Sequence, residues 1–349
     1  MNKPLRLLHV GTGGRGAHWL DFIAQRDDVT SVACVDVDER ALTAARDKYR
    51  CEGFTDLAVA LERAEVDGVL IASPSLLHGP HAIQALEAGF PVMVEKPLAA
   101  NLAEAVTVVE RARTLGRPLM IAENYRFFRA ERTVRKLLES SAIGRVSGAV
   151  CVDRRDQPSR AQGSWVKRMK EPFLTEIAVH HFDSFRYLFG NSPTRVWTRT
   201  FNPRGSDYDG NGAMEALIEL RGGEKIQYSG SFVGSRYQYK LSIRGDGGTI
   251  ETDRSRVWLR RTGERKLSLV EPVPMPDGEP LRYPAAGMVA MLAQFRAAIE
   301  QGTEPETSGR DNLWTLAMFE AAGHSASTGQ FTAIDDVFGA DLRTRAGIG

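Results

Sequence analysis

The sequence predicts an α/β protein with an N-terminal doubly wound domain of the Rossmann type and a C-terminal α+β domain built on a large, mostly antiparallel sheet. Three observations carry this. Apolar strand-like runs alternate with helical patterns over the first ~120 residues, as βαβ units do. A glycine-rich turn follows the first of those runs. Beyond residue 123 the rhythm changes to long segments that alternate apolar with polar residues, the mark of antiparallel strands with one solvated face.

The first-domain strands read as 5–10 (LRLLHV), 29–36 (VTSVACVD), 66–73 (VDGVLIAS), 91–95 (PVMVE) and 118–123 (PLMIAE). Their apolarity is continuous, which fits parallel strands buried on both faces. Helical patterns lie between them at 17–25, 39–49, 78–88 and 103–115. The stretch RFFRAERTVRKLLESSAIG reads as one amphipathic helix ended by Gly144. Strand-like segments follow at 145–155, 194–202, 213–222, 225–234, 238–248 and 256–261, then helices near 285–301 and 310–327. The expected division is 1–122 for dinucleotide binding and 123–349 for substrate binding and oligomerisation.

Composition bounds the function. The chain has 349 residues, 42% apolar and 26% charged, with 45 basic against 44 acidic side chains. That balance gives no reason to expect nucleic acid or an anionic membrane as partner. No stretch approaches the ~18 uncharged apolar residues of a membrane span, and the short N-terminal apolar run reads as a strand rather than a secretory segment. The three cysteines, Cys34, Cys51 and Cys151, show no metal-ligand spacing, and Cys34 reads as a reduced core thiol. A cytoplasmic enzyme with no metal is the expectation.

The turn HVGTGGRGAHWL contains Gly11-x-Gly13-x-x-Gly16 between a strand and a helix. Gly11 allows the tight turn, Gly13 lets backbone approach a pyrophosphate, and Gly16 lets helix pack on strand. Thr12, Gly14 and Arg15 complete the loop at the positive end of the helix. The second strand ends in Asp36, about 20 residues on, where a carboxylate accepts hydrogen bonds from ribose hydroxyls. It would repel a 2′-phosphate, so NAD is expected rather than NADP. Arg40 lies close enough in sequence to hold a phosphate and is counted with the cofactor contacts.

In an open parallel sheet, ligands collect beyond the carboxyl ends of the strands. Three clusters fall there: SPSLLH (73–78), EKP (95–97) and ENYRF (123–127). They bring Ser73, Pro74, His78, Glu95, Lys96 and Asn124 to one rim as cofactor contacts, with Tyr125 and Arg126 beside them for substrate. Pro97 restricts Lys96 to an extended conformation, which aims its ammonium.

The stretch ASPSLLHGPHAIQALEAGFPVMVEKPLA resembles the signature of the Gfo/Idh/MocA oxidoreductases, the glucose–fructose oxidoreductase and inositol dehydrogenase family. ENYRF and AAGHSASTGQFTAI (321–334) also resemble family segments. The resemblance implies the two-domain architecture, a peptide before the E-K-P proline that is often cis, and a lysine between nicotinamide and substrate. Ser75 stands where the family usually has asparagine.

The segment 172–190 (PFLTEIAVHHFDSFRYLFG) is expected to be a helix. At ~100° per residue, Glu176, His180 and Asp183 share one face and Phe182, Phe185 and Phe189 the other. The resemblance matches Glu176 and His180 to the family's acidic residue and histidine. Here the family more often has aspartate first, and glycine where Ala178 stands. It implies that Lys96, His180 and Glu176 are catalytic. His180 has the intrinsic pKa of a base, and Lys96 can stabilise charge on the reacting oxygen; the reverse assignment stays open. Asp183 and Trp165 join Tyr125, Arg126, Lys96 and His180 as substrate contacts. His181 has no assigned role.

The resulting expectation is an NAD(H)-dependent dehydrogenase or reductase. It moves a hydride between nicotinamide and a secondary hydroxyl or ketone of a sugar, polyol, cyclitol or sugar derivative. Alternatives are an NAD-dependent glycosidase using transient oxidation and a non-catalytic NAD-binding regulator. Relatives imply a homodimer or homotetramer.

Overall fold

A computed structural model of the chain describes residues 3–157, 165–190 and 192–347. The extremes of the two expected domains, residues 1–2 and 348–349, lie outside these. The chain forms two compact units.

The first unit holds a six-stranded parallel sheet: β1 (Leu5–Val10), β2 (Val29–Val35), β3 (Glu52–Phe54), β4 (Gly68–Ile71), β5 (Val92–Val94) and β6 (Leu119–Ile121), in the order β3-β2-β1-β4-β5-β6. The strand order reverses between β1 and β4, which opens a crevice beyond their carboxyl ends. Helices α1 (Gly14–Ile23), α2 (Glu39–Tyr49), α3 (Leu57–Arg63), α4 (His78–Glu87) and α5 (Leu102–Thr114) alternate with the strands. Leu7, Leu8, Val69, Val92, Met93, Val94 and Ile121 are fully buried, as strands covered on both faces require. Cys34 is a buried free thiol, as expected. Its sulfur lies 2.9 Å from that of Cys51, in a small cluster with Leu20, Leu42 and Ala45.

The division differs from the expected one at the C-terminal side. Residues 278–313 and 340–347 belong to the first unit rather than the second. The helix Met288–Gln301 places Phe295 3.1 Å from where a Cβ on Gly68 would sit, so the helix packs closely on β4 at that glycine. Arg296 donates to the carbonyls of Lys3 and Asp28, and Thr307 O accepts the Ile121 N–H at 2.8 Å. Amphipathic periodicity reveals such a helix but not the sheet it covers.

The second unit holds β7 (Val146–Arg154), β8 (Pro193–Phe201), β9 (Ala213–Leu220), β10 (Lys225–Ser231), β11 (Gln238–Gly245), β12 (Gly248–Thr252), β13 (Val257–Arg261), β14 (Ser268–Leu269) and β15 (Thr332–Ala333). They form one sheet in the order β14-β13-β12-β11-β7-β10-β9-β8-β15, in which β7 and β10 pair in parallel and the other pairs are antiparallel. One face is solvated and the other carries Ile218, Ile226, Tyr228, Leu241, Ile243 and Ile250, all buried. The single helix expected over 126–144 is shorter. A 3-10 turn, Tyr125–Phe127, precedes α6 (Arg129–Glu139), and extended backbone at Phe128 separates them. The positive φ of Ser141 and Gly144 closes the segment. The helix α7 (Val179–Phe189) is preceded by a π-helical stretch, Leu174–Ala178.

Candidate active site

The glycine loop of the first unit has the mechanics its spacing implies. Gly11 has φ +92°, and a Cβ there would lie 2.7 Å from the Ala72 oxygen and Ser73 nitrogen. A Cβ on Gly16 would lie 2.0 Å from the Gly11 oxygen. Both positions are closed to a side chain by the protein's own backbone. Gly13 is different: φ is −91° and a Cβ would meet nothing within 4 Å. Glycine there leaves room for a ligand rather than for the fold. Helix α1 starts at this point with no side-chain cap and no acidic residue in its first turn. Helices α2, α3 and α5 are instead capped by Asp38, Asp56 and Asn101. Gly16 and Ala17 donate to the Gly13 carbonyl at 2.8 and 3.3 Å; the amides ahead of them lie before the first helical acceptor, and the positive end of the helix suits a phosphate.

Asp36 is drawn onto this loop. Its Oδ2 accepts from the Thr12 N–H and hydroxyl, both at 2.8 Å, and its Oδ1 accepts from the Asp38 N–H at 3.0 Å. An ionised carboxylate has about four lone-pair sites, so it retains capacity for ribose hydroxyls. Arg40 is exposed just beyond, where its backbone N–H is capped by Asp38.

Glu95 has a different partner from the one its neighbour suggests. Its carboxylate is buried and accepts from Arg15 Nε and Trp19 Nε1, each at 2.7 Å. Burial opposes its ionisation, but the Arg15 guanidinium and the Trp19 indole hold its pKa below the usual glutamate value. Glu95 thus ties the end of β5 to α1, and Lys96 follows it half-buried, before a cis Lys96–Pro97 peptide. This corrects the expected cofactor role of two side chains, while the backbone N–H of Arg15 stays among the first amides of α1. The Arg15 guanidinium also donates to the Pro284 carbonyl at 2.7 Å, so it faces inward. The Glu95 carboxylate is likewise spent on protein donors.

His78 is a third correction. It is buried, with Nδ1 2.6 Å from the Pro97 oxygen and Nε2 2.8 Å from the Ser73 oxygen. Burial holds its pKa below the ordinary histidine value despite those carbonyls. The ring lies between the loop after β4 and the loop after β5 with both nitrogens against protein oxygens, and in its neutral form donates to one of them. Ser73 is half-buried beside it, its hydroxyl 3.0 Å from His81 Nδ1, and Pro74 is exposed. Asn124 is buried and donates to the Ala286 oxygen at 3.3 Å. His9, unremarked in the sequence, lies fully buried beneath Gly16, with its pKa pushed down to about 4 by burial.

In the second unit, the helical face arithmetic holds only in part. The π-helical stretch carries Glu176, half-buried, and α7 carries His180, which is 8% exposed. Such π-bulges often mark functional positions. Asp183 is turned inward instead. It forms a buried two-point pair with Arg126, one bond at 2.8 Å from Nε and a second from Nη2, and it accepts from Thr315 Oγ1 at 3.2 Å. Both were expected to touch substrate; both are walled into the core. Phe182 and Phe185 on the other side are also fully buried. The helix is therefore buried nearly all round, and its polar groups find their partners inside the protein.

Tyr125 likewise differs from expectation. Its ring stacks on the His180 imidazole, centroids 4.4 Å apart and planes 17° apart, and the Arg254 guanidinium lies 4.2 Å from the same centroid. Two such groups fit only on opposite faces, so no face remains for a sugar. Trp165, 52% exposed, opens a 3-10 turn over Trp165–Arg168. Behind Tyr125 lies a polar cluster the sequence did not reveal: Asp153, Arg155, His181 and Arg254. His181 Nε2 is 2.9 Å from Asp153 Oδ2, and its pKa is pushed down to about 3, chiefly by burial. Among the described residues no group of His, Cys, Asp or Glu is arranged to hold a metal ion, and no helix is long and apolar enough to cross a membrane.

Residues 5–123 match the model of an oxidoreductase family with an NAD-binding Rossmann fold, and residues 132–251 match the GFO/IDH/MocA C-terminal domain. The chain belongs to the GFO/IDH/MocA oxidoreductase family. Among its relatives is a protein named D-apiose dehydrogenase from Paraburkholderia graminis, 30% identical over 92% of this chain and 87% of that one. Another, named inositol 2-dehydrogenase, from Corynebacterium glutamicum, is 32% identical over 63% and 64%. The fold matches that of an Agrobacterium radiobacter oxidoreductase solved with NAD+, L-tartaric acid and magnesium, with a TM-score of 0.86, 21% identity, and 96% and 99% of the two chains covered. For this family's dinucleotide, the residues present fit. Gly13 leaves space, α1 leaves its first amides uncapped, and Asp36 keeps acceptor capacity at the end of β2.

Proposed function

We propose that this oxidoreductase is an NAD-dependent dehydrogenase of a sugar, polyol or cyclitol, and that Lys96 and His180 serve one reaction at a secondary hydroxyl. The observation that carries this reading is the Glu95 tie. By fastening β5 to α1, it fixes Lys96 to the same element that presents the uncapped amides to the dinucleotide. The relatives' names, D-apiose dehydrogenase and inositol 2-dehydrogenase, supply the substrate class.

Gly13, the first turn of α1 and Asp36 would hold NAD, with Thr12 holding Asp36 in place. When bound, NAD supplies the hydride acceptor. Lys96 donates a hydrogen bond to the carbinol oxygen and stabilises charge as it develops there. His180 takes the hydroxyl proton as general base. Glu176, within the preceding turn, orients that imidazole. Trp165 offers an exposed aromatic face for a sugar ring. Cytoplasmic location and a homodimer or homotetramer complete the proposal.

The test is a panel of polyols, cyclitols, aldoses and glycosides with NAD or NADP, following NADH absorbance and free sugar together. Stoichiometric NADH with NAD supports the dehydrogenase. Sugar release from glycosides without net NADH assigns the glycosidase instead, and silence throughout with measurable NAD binding assigns a sensor.

A further inference from the structure

We propose that Arg155 and Tyr125 are positioning residues that hold the His180 imidazole for proton transfer; this rests on the reading that His180 handles the proton. Tyr125 stacks on His180 and is itself only 8% exposed. Its hydroxyl accepts from Arg155 Nη2 at 3.1 Å. Arg155 is in turn held by Asp153 Oδ2, which accepts from Nη2 at 2.8 Å and Nε at 3.2 Å. Asp153 is wholly buried and also contacts His181. On the other face of Tyr125, Arg254 lies 4.2 Å from the ring and 3.9 Å from that of Tyr239, and its Nε donates to Glu131 at 3.2 Å.

The Tyr125 ring is therefore fixed at its edge by one guanidinium and on one face by another, and its remaining face supports His180. Two largely covered guanidiniums, with side chains 16% and 10% exposed, converge on one tyrosine ring while each is also paired to a carboxylate, Asp153 or Glu131; paired charges of this kind seldom add stability. The arrangement is what a rigid backstop for a reacting side chain needs, because a displacement of about 1 Å can cost about 100-fold in rate. Sequence gave His181 no role; here it anchors Asp153, one step behind Arg155.

The experiment is a double-mutant cycle on the full enzyme with Tyr125→Phe and Arg155→Met. NAD affinity and thermal unfolding are measured alongside, and histidine NMR is recorded on the cofactor-free protein. We expect each variant to lower kcat about tenfold or more with KM within about threefold, and the double variant to be no slower than the worse single within about twofold. The His180 resonances, assigned through His180→Asn, should lose their ring-current shift in Arg155→Met. Wild-type kcat in Tyr125→Phe overturns the proposal. So do losses that multiply, or an Arg155→Met effect confined to KM, which makes Arg155 a substrate contact. If Arg155→Met fails to fold, Tyr125→Phe, which removes one oxygen, decides alone. Full turnover in His180→Ala would sink the underlying functional reading instead.

Discussion

Replacing Glu95 by glutamine removes one charge from a side chain with only 7% of its surface exposed, facing an arginine with 21% exposed. At 2.7 Å and an effective dielectric of ~20, the gross attraction is about 6 kcal/mol, most of it offset by desolvation of both groups. Breaking a buried pair costs about 3–5 kcal/mol net. Glutamine keeps one oxygen for one of the two donors, Arg15 or Trp19, which recovers about 1 kcal/mol. The expected loss of stability at pH 7 is thus about 2–4 kcal/mol. The pH dependence has a definite sign. The folded-state pKa of Glu95 lies below its ordinary value of 4.5, so the carboxylate's contribution is fully present above that value and is lost as pH falls through the folded pKa. The gap between wild type and Glu95→Gln should be full at pH 7 and shrink below about pH 4.5. Equilibrium urea unfolding at a series of pH values measures it. A variant within ~0.5 kcal/mol of wild type at pH 7, or a gap unchanged at low pH, would refute the tie between β5 and α1.

Four further substitutions separate fold from function. Gly13→Ala should fold with stability within ~0.5 kcal/mol of wild type yet bind NAD at least ~10-fold more weakly, whereas Gly16→Ala should be destabilised outright; calorimetry of binding and thermal unfolding distinguish them. Asp183→Asn leaves the Arg126 guanidinium buried and half-partnered, and should cost about 3–5 kcal/mol in urea unfolding; a change in KM without loss of stability would restore the substrate role. Asp36→Ala should weaken NAD binding and narrow the preference over NADP, read from the two dissociation constants; an unchanged ratio would mean that Asp36 serves only its protein donors, Thr12 and Asp38.

Much of this was legible in the chain because the signals are local. Continuous apolar runs revealed five of the first sheet's strands, and the spacing of Gly11, Gly13 and Gly16 sat between a strand and a helix, as its mechanics demand. Short elements escaped: β3, α3 and β12 have too few residues for a period to show. Partners across long sequence distance escaped too. Glu95 beside Lys96 reads as a local charge pair, but its carboxylate is bonded to Arg15 and Trp19, which only the βαβ fold brings near. Helical face arithmetic put Asp183 with His180, yet the π-helical start and the pull of Arg126 turned Asp183 into the core. The cluster of Asp153, Arg155, His181 and Arg254 is assembled by β7, α7 and the turn after β12, so no window of sequence contains it.

Single-turnover NADH formation by stopped flow, in wild type, Lys96→Ala, His180→Ala and the double variant, asks whether Lys96 and His180 serve one reaction. With NAD and a polyol that the wild type oxidises, each single variant should slow the first turnover by about 10²–10⁴ while NAD still binds, and the double variant should be slowed by far less than the product of the two losses. NADH appearing at the wild-type rate in either single variant would remove that residue from the reaction.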